Sequence, residues 1–166
     1  MKYIIINLFI AIFLYLLDTF YFNQGIISFL TGFIIILVFL ILTVIALIRK
    51  NKKIVMTRLA VIVIYILMIL AVSGSIRFLN YLALTRAEEL IKACNCYMVK
   101  YDKFPDKLED LVPEFIPSIP YAKPVFFEPQ FNYMSEKDNH VIWYVVFPPF
   151  YRAFYGLEKR SWSYLD

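Results

Sequence analysis

Side chains that bind metals or form covalent intermediates are scarce in this sequence. Its 166 residues include two cysteines, Cys94 and Cys96, and one histidine, His140. That inventory excludes a disulfide framework and a four-ligand zinc site. On a helix, positions two apart point about 200° away from each other, which is poor geometry for a mutual disulfide. Cys94 falls on an apolar stripe and reads as a small core residue, with Cys96 on the exposed face. No metal and no cofactor is expected. Acids are also missing from one half of the chain. Residues 1–76 hold six Lys or Arg and one acid, Asp18, whereas residues 77–166 hold eleven basic and twelve acidic residues. The net charges are therefore +5 and −1. With no basic excess in the second half to meet a phosphate backbone, nucleic acid is not an expected partner.

What is abundant is apolar surface. The chain is 61% hydrophobic with mean hydropathy +0.68, which places it in the membrane class and makes the lipid bilayer its first expected partner. Residues 1–80 read as a transmembrane region with spans over about 3–22, 26–48 and 59–78. Each is close to the roughly 20 residues that a helix needs to cross about 30 Å of hydrocarbon. Only "NQG" separates the first two spans, which forces a tight helical hairpin. The next connection, "RKNKKIVMTR", carries Arg49, Lys50, Lys52, Lys53 and Arg58 and no acid. The positive-inside rule places this loop and the amino terminus in the cytoplasm and residues 81–166 outside, here the periplasmic side of a bacterial inner membrane. "DTFYFNQG" offers no small pair for a signal peptidase, so the first span is expected to be retained. Asp18 lies about one turn from the outer end of its span, and its expected role is a carboxylate snorkelling to water.

Beyond the third span, Ala87, Leu90, Ile91, Cys94, Tyr97, Met98 and Tyr101 recur at helical spacing, opposite Arg86, Glu88, Glu89, Lys92 and Asn95. One helix is expected to run from lipid into the outer domain. After it, Pro105 fixes a turn, and Asp106 with Glu109 three positions on predicts a capped short helix whose buried face is Leu108, Leu111 and Val112. Pro113 stops it, and Pro117, Pro120 and Pro124 keep the following strap extended. Residues 131–134 and 140–147 then predict a hairpin around "SEKDN", with residues 161–165 as a third strand. Alternation sends Val141, Trp143 and Val145 to one face and Ile142, Tyr144 and Val146 to the other, so neither face is polar. The fold class is an α+β membrane protein with three transmembrane helices, the third extending into a domain of long helix, short helix and small antiparallel sheet.

The order of an amphipathic helix ending in Tyr101, then Phe104-Pro105, Leu108, Leu111-Val112-Pro113, Phe115-Ile116 and Ile119-Pro120, resembles the segment after the long helix in type II secretion major pseudopilins and related type IV pilin-like proteins. The tail Trp162, Tyr164, Asp166 is similar to the aromatic last strand of small members of that group. The resemblance implies a pilin-like outer domain over residues 81–166 and a role beside secretion or pilus systems. The family's leader glycine and early glutamate have no counterpart around "MTRLAVIVIY". Its calcium-binding aspartates have none in "RAFYGLEKRSWSYLD", so no metal is carried over.

Candidate chemistry is sparse. His140 opens a strand beside a polar turn, with Ser135 and Ser161 as the serines whose approach would suggest a triad. Asp106, Glu109, Asp110 and Glu114 read as the solvated face of the short helix. The aromatic stretch "FPPFYRAFY" offers Phe147, Phe150, Tyr151, Arg152, Phe154 and Tyr155 as a partner-binding patch, with contact to the bilayer surface as its rival reading. The function expected from these features is a non-enzymatic, membrane-anchored periplasmic module that binds another periplasmic or membrane protein. The alternatives are an immunity protein that intercepts a toxin and, in another class, an enzyme acting on lipid.

Overall fold

The computed structural model describes residues 2–137, 139–147 and 151–165. It divides into two compact units, Met1–Arg77 and Phe78–Asp166.

The first unit holds α1 (Lys2–Leu16), a π-helical stretch (Leu17–Phe22), α2 (Ile26–Ile48) and the beginning of α3 (Lys52–Tyr101). α1 together with its π-helical continuation to Phe22, α2 and α3 are each long and apolar enough to cross a membrane. Their packing is inverted relative to a water-soluble bundle. A thin core of Ala11, Phe39, Val61, Ile62, Tyr65 and Met68 is enclosed, while Phe9, Phe33 and Leu70 are each more than 60% exposed. Apolar side chains turned outward on every helix suit a hydrocarbon solvent and would aggregate in water. Gly32 lets α2 approach α3 closely, since a Cβ there would stand 3.0 Å from Ile69 and 3.1 Å from Met68.

Asp18 departs from the expectation of a carboxylate reaching water. It is fully buried; its Oδ1 accepts the Gly25 N–H at 3.0 Å and its Oδ2 the Ser28 N–H at 2.6 Å. The first-turn N–H groups of α2 have no partners inside their own helix, and the carboxylate also faces the positive end of the helix dipole. Asp18 thus caps α2 from the element that precedes it. The turn that makes this possible uses two left-handed residues, Asn23 (φ 54) and Gly25 (φ 79).

In the second unit, α3 contributes a buried stripe of Ala83, Ala87, Leu90, Ile91 and Cys94, the side predicted from its periodicity. Cys94 is enclosed, with burial pushing its thiol up to about 12, and Cys96 is exposed. The predicted short helix is one 3-10 turn, Leu108–Leu111, that buries Leu108 and Leu111. Its cap also differs: the Asp110 carboxylate accepts the Lys107 N–H at 3.1 Å, while Asp106 pairs with Lys103 at 3.2 Å. The strap that follows reaches Gln130, which bridges back to Tyr121.

The sheet has four antiparallel strands in the order β1 (Asn132–Glu136), β2 (Asn139–Phe147), β3 (Tyr151–Gly156) and β4 (Ser161–Leu165). This corrects the three-strand expectation, because "YRAFYG", expected only as part of an aromatic patch, is a strand paired on both edges. Pairing of Glu136 with Asn139 also carries the first hairpin into the polar stretch that was expected to be all loop. Ile142, Tyr144 and Ala153, with Tyr133, Val146, Tyr155 and Trp162 around them, pack into the same core as the α3 stripe.

Candidate functional site

The candidate patch lies on β3 and the end of β2, and strand alternation divides it. Trp143 is in register with Phe154, and Val145 with Arg152. The Trp143 and Phe154 rings stack with centroids 5.8 Å apart, and the Arg152 guanidinium lies over Trp143 at 5.5 Å. These residues share the face opposite the α3-bearing core, together with exposed Met134 and Leu165. Ala153 and Tyr155 point the other way, into the core, where Tyr155 meets Trp162 at 5.1 Å. Tyr151 stacks nearly parallel on Tyr164 at 5.7 Å. Phe147 pairs with Tyr151 beyond an irregularity in the β2–β3 register, and Phe150 lies outside the described residues. Of the six proposed residues, Arg152 and Phe154 form one surface, and their principal partner, Trp143, had been assigned to the sheet rather than to the patch. Its period-2 relation to Val141 and Val145 was the available signal; its register with Phe154 was not.

The second constellation surrounds His140. Ser135 is directly opposite His140 in the β1–β2 register, so their side chains project to one face. The β3–β4 connection brings Glu158 to the start of β2. Its Oε1 lies 2.5 Å from His140 Nδ1, and both carboxylate oxygens accept the His140 backbone N–H at 3.1 Å. Burial pushes the Glu158 carboxyl up, but the hydrogen bonds from the His140 ring and backbone outweigh it and leave the group below its ordinary range. The pair opens onto a pocket of about 470 Å³ lined by Met98, Asp102, Lys103, Phe104, Asp106, Ser135 and Lys137. The imidazole is mostly enclosed and held by a carboxylate, not free at the surface. Ser161 is not among the lining residues. Glu158 was missed because eighteen residues separate it from His140 and only the register of β2 with β3 joins them.

Of the acids near the short helix, Asp106, Asp110 and Glu114 are engaged at the surface. Glu114 pairs with Lys100 and accepts the Tyr101 hydroxyl at 2.9 Å, which together hold its carboxyl below its ordinary range. Among the described residues no cluster of three His, Cys, Asp or Glu side chains is placed to hold a metal ion. A different buried group, Lys123, sends Nζ to the Val146 carbonyl at 2.8 Å, beside the irregularity between Val145 and Phe147. Burial lowers its amine to about 7.

No family model matches the sequence, and no curated protein and no solved structure matches it either.

Proposed function

We propose that this chain is a membrane-anchored module that binds another protein through the outward face of its sheet, as an accessory component of a secretion- or pilus-type system. One observation carries the reading: a single face of the sheet is spent on α3, and the other presents the Trp143–Phe154 stack with Arg152 across it. Aromatic residues and arginine are the groups that dominate protein interfaces when desolvated. The acid-free stretch 49–58, which the structure resolves into a three-residue connection and the first turns of α3, supports a cytoplasmic amino terminus and a periplasmic domain. The order of long helix, single short turn, proline strap and antiparallel sheet supports the pilin-like comparison. Photo-cross-linking in intact cells tests the interface. A photoreactive residue at Phe154 is expected to yield a discrete protein adduct, lost with Trp143→Ala, and one at Cys96 to yield none. Equal adducts at both positions, or adducts to lipid alone at 154, would overturn it.

A second reading is favoured by the carboxylate-held imidazole beside Ser135, the arrangement used to activate a hydroxyl nucleophile. It makes the domain a hydrolase acting on lipid esters at the membrane surface. Its signature is labelling of Ser135 by a fluorophosphonate, with fluoride leaving and the hydroxyl proton passing to His140. Loss of labelling in His140→Gln supports this reading, and an unlabelled folded protein removes it.

A further inference from the structure

The acid-free stretch 49–58, a three-residue connection followed by the start of α3, carries a charge bias and borders a defined recess. Arg49 closes α2, its N–H bonding to Ile45 O at 3.1 Å, and the Asn51 side chain caps α3 by accepting the Ile54 N–H at 3.2 Å. The first turn of α3 carries no acid, although that end of a helix attracts negative charge, and Lys52 and Lys53 stand there instead. Among the described residues the ion pairs join Lys100 to Glu114, Lys103 to Asp106 and His140 to Glu158, so none involves Arg49, Lys50, Lys52, Lys53 or Arg58. Asp18, the only carboxylate in residues 1–76, is committed to Gly25 and Ser28. Five cations and a positive helix end thus lack an anion.

Two of those cations border a recess. A pocket of about 340 Å³ is lined by Tyr3, Phe39, Leu42 and Ile54 on its apolar side and by Lys53, Thr57 and Arg58 on its polar side. Arg58 is fixed in place by donating Nη1 to the Leu42 carbonyl, and the Tyr3 ring rests against Phe39 at 6.0 Å. A guanidinium already oriented by one donor loses less side-chain freedom when its remaining donors take a phosphate. On the same three helices the apolar side chains Ile6, Ile45, Ile48 and Met56 are exposed, a surface suited to hydrocarbon.

We infer that this pocket binds an anionic phospholipid, the headgroup phosphate between Lys53 and Arg58 and an acyl chain against Phe39, Leu42 and Ile54. The inference rests on the helices lying in a bilayer and is independent of which side the loop faces. A free phosphate would meet the cations but leave the apolar wall unused, and a zwitterionic lipid would bring its own cation to a site that already has an excess.

The test uses the full chain, delipidated in a neutral detergent, with lipid retention read by native mass spectrometry and melting temperature read in parallel. Phosphatidylglycerol is expected to be retained and to raise the melting temperature, with phosphatidylcholine and inorganic phosphate doing neither. The double variant Lys53→Gln, Arg58→Gln should weaken retention by about fivefold for each cation removed. Lys50→Gln with Lys52→Gln, which removes the same net charge at exposed positions outside this pocket, should leave retention within about twofold because solvent screens those charges. Because retention is counted on folded protein, a variant that is merely less stable remains readable. Equal retention of the two lipids, or equal loss in both double variants, would overturn the inference and reduce the loop to a diffuse charged surface. A chain that stays monomeric without detergent would instead remove the membrane reading beneath it.

Discussion

The two units solve the same physical problem with different means. In residues 1–77 most enclosed polar groups find partners close in sequence: Asp18 caps Gly25 and Ser28, Thr43 bonds Phe39 O, and Ser73 bonds Ile69 O, while Tyr65 with Asn7 and Tyr15 with Ser75 are pairs joined across helices. In residues 78–166 the partners are distant: Lys123 reaches Val146, Tyr133 donates to Pro105 O at 2.8 Å, and Glu158 holds His140. Where the surroundings are hydrocarbon, helices that satisfy their own backbone are favoured, and a stray polar group is met within a few turns. Where water surrounds a small sheet, enclosure requires closing long loops and bringing remote groups together.

That contrast can be broken most strongly at Asp18. Asp18→Ala leaves the Gly25 and Ser28 N–H groups without acceptors in an apolar interior, and a loss of roughly 3–5 kcal/mol is expected from two charge-assisted hydrogen bonds. Thermal unfolding of the full chain in detergent would read it; a shift below about 1 kcal/mol would mean that water reaches the turn. Lys123 should give a smaller, pH-dependent effect. Its folded pKa, lowered to about 7 by burial, lies beneath the unfolded value, so the folded state carries the full penalty of an enclosed charge below pH 7. That penalty fades as pH rises toward the ordinary lysine range. The stability of the parent chain relative to Lys123→Met is therefore expected to increase from pH 7 to 10, and a pH-independent difference would show the amine to be solvated. The smallest effect belongs to Glu114→Gln. Its partner Lys100 is on the surface and both side chains remain in water, so the melting temperature should not move measurably, and whatever change appears should vanish in high salt.

Legibility followed the same division. The three apolar helices were readable because length and composition alone distinguish a span, and the stripe Ala87, Leu90, Ile91, Cys94 was readable because helical period is a local property. The role of Asp18 was not, since its value to the fold depends on a π-helical turn that returns the chain so that the start of α2 faces the carboxylate. β3 was misread because a strand with aromatic residues on both faces has no polar alternation, and "FPPFYRAFY" shows the same aromatic density as a surface patch. Tyr155 and Arg152 differ by three positions and point to opposite faces. Only their register with Ile142 and Val145 reveals which side each takes.

The sequence by itself determined the class of molecule, the number of its apolar helices, the charge around the second connection, and the burial of one thiol and exposure of the other, whereas α3 begins at Lys52, inside the stretch expected to be loop. Each of these depends on composition or on contacts within a few residues. The tertiary structure decided which aromatic side chains share a surface, that Glu158 holds His140 opposite Ser135, and that Lys53 and Arg58 border one recess with Tyr3 and Phe39. Those pairings join residues far apart in the chain, and strand register and helix packing, set by the whole core at once, are what bring them together.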